Sequence, residues 1–182
     1  HIPVVYNCGG YETAETIGAL SEYVDIWLPD LKYYSPILSR RYSQAEDYFA
    51  VASRAVEQMI RLTGPPEFGE YKDKRSGTAC SILRKGVIIR HMVLPRHKDD
   101  SIRLLYWMKD TLPKGGFLIS LMSQYTPFYR SADYPEINRR ITTYEYEKVL
   151  NTAIELGLTD GFMQEKSSAK EEYTPPFELE GL

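Results

Sequence analysis

"GVIIRHMVLP", residues 86–95, carries the strongest strand signal in the chain. A near-continuous apolar run closed by a proline suits a strand buried on both faces, as in a parallel sheet. Arg90 and His91 are neighbours in it, so their side chains point to opposite sides. An arginine inside so apolar a run requires a buried acid or an anionic ligand, unless it snorkels to an edge. His91 and His97 do not stand at a metal-ligand spacing, which favours structural roles for both.

Strand and helix signals alternate on either side of this run. "IPVVYN" (2–7) and "VDIWLPDL" (24–31) are short apolar runs that read as strands. Thr13 is an N-cap with Glu15 in the first helical turn, and a short helix runs from there to about Tyr23. Ser43 and Glu46 have capping-box spacing, and Tyr48, Ala52, Ala55, Val56, Met59 and Ile60 follow at helical intervals up to Gly64. Residues 65–85 are polar and rich in breakers and read as an excursion. A helix is expected from about Asp100 to Thr111, then a strand over 117–123. A long aromatic and basic loop fills 126–142. Thr142 with Glu145 opens a last helix, and "DGFMQE" is a last short strand. The expected layout is one α/β unit over 1–165 and a polar tail over 166–182.

Such alternation implies a parallel sheet with outer helices, in which ligands sit beyond the carboxyl ends of the strands. Four strand ends then share a rim: Asn7 to Gly10, Asp30-Leu31-Lys32, Arg90 to Pro95, and Ser123 to Tyr125. Asp30 and Lys32 are two apart, so an extended backbone sends both to one side. A carboxylate and an ammonium so placed can clasp a zwitterion, or form a plain surface ion pair.

The bulk composition limits the function classes. The chain has 182 residues, 43% of them hydrophobic and 26% charged, as expected for a globular domain. A net charge of −3 gives no reason to expect nucleic acid or an anionic membrane surface as partner. Its apolar runs fall short of the roughly 20 residues of a membrane span. Two distant cysteines, Cys8 and Cys80, suggest reduced thiols and a cytoplasmic protein rather than a disulfide framework. No phosphate-loop, zinc-protease or nucleophile-elbow motif is present. The chain starts within a strand signal and has no initiator methionine, so it is expected to be the later part of a longer protein.

Taken in order, "VVYNCGGY", "VDIWLPDLKY", "VIIRHMVLP", "ISLMSQYTP" and "YPEINRRITTYEYEKVL" followed by "GLTDGFMQEKSSA" carry a resemblance. The chain resembles, over nearly its whole length, the later part of a radical S-adenosylmethionine protein of the branch similar to pyruvate formate-lyase activating enzyme. The resemblance implies an incomplete (β/α) TIM-like barrel. It implies S-adenosylmethionine held at a [4Fe-4S] cluster, whose electron releases a 5′-deoxyadenosyl radical for hydrogen abstraction. It also implies a glycyl-radical-type protein substrate and an electron donor such as flavodoxin or ferredoxin.

Matched to that pattern, Asp30, Lys32, Arg90, Met122 and Tyr125 fall at cofactor-contacting strand ends. Asn7 or Tyr6 stands where the activating enzyme has an acid near a monovalent cation. Departures accompany the match. The C-x-x-x-C-x-x-C triad is absent and Cys8 and Cys80 cannot replace it. Gly9-Gly10-Tyr11-Glu12 is not the family's Gly-Gly-Glu strand end, and Arg96 occupies a position where similar sequences usually carry glycine. The chain by itself is therefore expected to hold no cluster, to catalyse nothing, and to self-associate through a truncated sheet edge. The rival expectation is a self-contained α/β module that docks a protein through Arg139, Arg140 and the 126–142 loop.

Overall fold

The computed structural model describes residues 2–72 and 79–163. Five parallel strands form the body of a sheet: β1 (Val5–Cys8), β2 (Ile26–Pro29), the second half of β4 (Ala79–Met92), β5 (Leu118–Met122) and β6 (Gly161–Met163). Between them run α1 (Ala14–Leu20), α2 (Pro36–Ser43), α3 (Tyr48–Thr63), α4 (Lys98–Thr111) and α5 (Thr143–Glu155). A single 3-10 turn, Tyr129–Asp133, interrupts the loop after β5. The fold is thus α/β with a mostly parallel sheet and flanking helices.

The spatial order β1-β2-β4-β5-β6 follows chain order without reversal. Right-handed crossovers that always step the same way deposit their helices on one face, and a doubly wound sheet needs a reversal to cover both. The core shows this one-sidedness. Trp27, Val87, Ile89, Ile119 and Leu121 pack with Ile17 of α1, Val56 and Met59 of α3, Leu104 and Met108 of α4, and Val149 of α5. The alternate strand residues, Ile26, Leu28, Ile88, Arg90, Leu118 and Met122, face the side without helices.

Three local expectations need correction. Residues 65–85 are no loop, because β3 (Glu67–Lys72) pairs antiparallel with the first half of β4. That hairpin's inner residues 73–78 lie outside the described set. Its many polar residues are tolerated because the arm is exposed on both faces of β3, so strand alternation has no apolar partner to reveal it. Ser43 and Glu46 form no capping box: Ser43 ends α2, and the N-cap of α3 is Asp47, which makes no capping hydrogen bond. The unanticipated α2 had a readable start, since Ser35 accepts from the Ile37 amide and Pro36 occupies the first turn.

Other signals hold as read. Thr13 caps α1 through the Thr16 amide, and Thr142 with Glu145 forms a reciprocal capping box on α5. Arg96, after "VLP", has φ 65°, a left-handed backbone that favours glycine. The expected tail, 166–182, lies outside the described residues. Among the described residues, no helix is long and apolar enough to cross a membrane.

Candidate functional site

The site starts from the parity of β4. His91 faces the helices and is 1% exposed, whereas Arg90 faces the open side. Strand register brings Asp30, just past β2, directly beside Arg90. The Arg90 Nε lies 3.4 Å from Asp30 Oδ1, and its Nη1 donates to Asn7 Oδ1 at 2.6 Å. Lys32 Nζ stands 3.7 Å from Asp30 Oδ2. Asn7, Asp30, Lys32 and Arg90 therefore meet at the carboxyl ends of three adjacent strands. Two cations face one carboxylate in this quartet, with the Glu12 carboxylate close by in the turn after β1.

Asp30 Oδ1 is buried and accepts no hydrogen bond among the described residues, despite the guanidinium nearby. Glu12 Oε2, in the turn after β1, is in the same condition. Cys8 adjoins this turn. Burial, followed by the nearby Glu12 and Asp30 charges, pushes its thiol up to about 12, so it stays protonated and unreactive. Met122 shares the open face, two register positions beyond the Ser120 that pairs with Arg90. Tyr125 follows β5. Burial first and Tyr33 second raise its hydroxyl above the ordinary phenol range.

The segment "DLKYYS" is held at almost every peptide. The Leu31 amide donates to the Arg90 carbonyl at 2.8 Å. The Leu31 carbonyl lies 2.7 Å from His91 Nδ1, and His91 Nε2 lies 2.8 Å from Ser101 Oγ. Since a carbonyl only accepts, Nδ1 carries the proton and Nε2 accepts from Ser101. Burial lowers the His91 pKa, which keeps that neutral tautomer in place. Asp100 of α4 accepts from the Tyr34 and Ser35 amides, both at 2.9 Å. Gly10, at φ 79°, must be glycine, because a Cβ there would collide with the Asp30 carbonyl.

The loop between β5 and α5 is fastened separately. Glu136 Oε1 accepts from Arg41 Nε and from Tyr42 Oη, each at 2.8 Å, and Tyr134 donates to the Arg41 carbonyl at 3.1 Å. Glu145 takes both Arg139 Nη groups, at 2.9 and 2.7 Å, and the Arg96 amide at 2.7 Å. The Arg139 guanidinium first, then the Thr142 and Arg96 amides, hold the Glu145 carboxyl far below the usual carboxylate range. Arg139 is therefore ion-paired within the chain, with its side chain about one-third exposed.

Sequence reasoning placed the rim residues but not their supports. His91 was recognisable as a structural histidine, though not its Leu31 partner. Tyr48 reads as one more apolar residue of α3, and Asp100 as the approximate start of a helix. Neither carries a local signal of the loop it holds, because the loop lies far off in sequence.

No protein-family model matches the chain. Over 155 residues, 84% of its length, the chain is 31% identical to "Uncharacterized protein MJ0674" of Methanocaldococcus jannaschii. It spans only 38% of that relative's length.

Proposed function

We propose that these 182 residues belong to a radical S-adenosylmethionine enzyme resembling pyruvate formate-lyase activating enzyme, and that the open-face rim holds adenosylmethionine. The observation that carries this reading is the quartet: a buried Asp30 oxygen, ion-paired but accepting no hydrogen bond, beside two cations at the carboxyl ends of parallel strands. A sheet that advances in one direction, with helices on one face, is also what an arc of a (β/α) barrel requires.

The donor set fits the amino-acid end of adenosylmethionine. Asp30 would take its ammonium, while Arg90 and Lys32 would meet its carboxylate. Asn7 fixes Arg90 by accepting from its guanidinium, and Met122 and Tyr125 would line the route toward the adenosine. When bound at a reduced cluster, this cofactor supplies a primary carbon radical that abstracts hydrogen. The residues at hand do not fit the cluster itself. Cys8 is protonated beside two acids, and Cys80 lies on the β3–β4 arm at the amino end of the sheet. The [4Fe-4S] ligands are accordingly assigned to sequence outside these residues, in keeping with a relative of which the chain spans 38%. A glycyl-radical-type protein substrate, a flavodoxin or ferredoxin electron donor and a cytoplasmic setting belong to the same reading.

The test is anaerobic incubation of the full-length polypeptide with adenosylmethionine and dithionite. Release of 5′-deoxyadenosine and methionine is the expected result, and no release from a protein carrying a stoichiometric cluster would refute the assignment.

A further inference from the structure

We propose that Tyr48 is the positioning residue of the rim, its hydroxyl coupling the turn after β1 to the turn after β2. This deepens the proposed function and rests on it for the identity of the ligand. Tyr48 opens α3, and its ring is 4% exposed within the core. A phenylalanine would pack there equally well, so the hydroxyl calls for a separate reason. It stands 2.9 Å from the Gly9 carbonyl and 2.8 Å from the Asp30 carbonyl, and accepts from the Lys32 amide at 3.1 Å. One oxygen thus touches three backbone groups of two strand ends that are far apart in sequence.

The surroundings hold that oxygen in place. Gly10 closes against the same junction, with a Cβ position 3.3 Å from Tyr48 Oη. Tyr11 stacks parallel on the Tyr48 ring at 5.9 Å and 3°, and its own hydroxyl donates to Asp47 at 2.5 Å, one residue before α3. Tyr33 meets the Tyr48 ring edge-on at 5.6 Å. Burial, foremost, raises the Tyr48 pKa, so the phenol keeps its proton at ordinary pH. Removing only the hydroxyl leaves the Lys32 amide and two carbonyls without this partner, and the ring contacts intact. The geometry therefore predicts a local effect: Asp30 and Lys32 lose their fixed relation to Asn7, while the core stays packed.

The experiment uses the full-length polypeptide and its Tyr48→Phe variant. Amide hydrogen exchange is read at Lys32, with Leu31 as internal reference because its amide is held by the Arg90 carbonyl. Exchange at Lys32 is expected to rise at least about tenfold with Leu31 unchanged, and adenosylmethionine affinity to fall about tenfold. Tyr11→Phe, which removes only the bond to Asp47, is expected to leave Lys32 protected. Unchanged Lys32 exchange in Tyr48→Phe overturns the proposal. So does equal acceleration of Lys32 and Leu31, which would signal general loosening, and so does local acceleration with unaltered affinity. A wild-type protein that binds no adenosylmethionine overturns the proposed function instead, and the exchange comparison alone then decides for or against the coupling by Tyr48.

Discussion

His91 and Arg90 are adjacent on one strand, yet they belong to two different kinds of surface. The helix-covered face carries His91 among Val87, Ile89 and Leu121, with every polar atom of the imidazole matched to a fixed partner. The open face carries Arg90 among Asn7, Asp30 and Lys32, with a buried Asp30 oxygen that is ion-paired but accepts no hydrogen bond. One side of the sheet is complete as it stands. The other has the composition of a surface still waiting for a partner. Stability should therefore reside mainly in the first face and ligand recognition in the second.

The sharpest way to break this contrast is to truncate neighbours on opposite faces. Ile89→Ala removes a fully buried side chain and should cost roughly 2–5 kcal/mol in a urea titration. Ile88→Ala, half-buried on the open face, should cost less than half as much. Equal losses would mean that the open face is packed like a core.

Glu145 tests whether the rim loops depend on one carboxylate. Glu145→Gln weakens the bonds its carboxylate accepts from the Arg139 guanidinium and the Arg96 amide, and should cost about 2 kcal/mol. Because its folded pKa is depressed, the carboxylate's stabilisation is fully present above the ordinary value of 4.5 and is lost as pH falls below it. The wild-type advantage over Glu145→Gln should accordingly shrink in melts run below that pH.

His91 makes a similar prediction at milder acidity. Burial lowers its folded pKa beneath the ordinary 6.5, so the unfolded chain binds the proton first. Stability should be flat above that value and should fall below it by up to about 1.4 kcal/mol per pH unit. His91→Gln, which does not titrate, should remove the His91 share of that slope and leave the share of His97, whose pKa burial also lowers.

Arg96→Gly is expected to have the smallest effect on stability, and a favourable one. Relief of the left-handed backbone at φ 65° should raise stability by up to about 1 kcal/mol, read from the midpoint of a thermal melt. The Arg96 amide bond to Glu145 is kept, since glycine supplies the same N–H.

Legibility from sequence followed this same division. The continuous apolar run 86–95 and the helical spacing of α3 and α5 are local signals, so the α/β alternation could be read directly. Asp30, Lys32 and Arg90 were recognisable as rim residues, because strand parity and strand ends are also local properties. The β3–β4 arm was missed because it is exposed, leaving no apolar alternation to read. Ser43 was misassigned because a residue that ends one helix looks like one that starts the next. The supports of "DLKYYS" come from His91, Tyr48 and Asp100, on three other elements, and such contacts exist only once the chain has folded.

The most direct test of the central claim is the affinity of the anaerobic full-length protein for adenosylmethionine, measured by calorimetry for wild type and Arg90→Ala. The Arg90–Asp30 pair is about three-quarters buried, so its loss also carries a stability cost, which a parallel urea titration reads separately from affinity. Affinity should fall at least about tenfold, with Ile88→Val as a control of unchanged affinity. Equal affinity in wild type and Arg90→Ala would contradict the assignment of the open-face rim as the cofactor site.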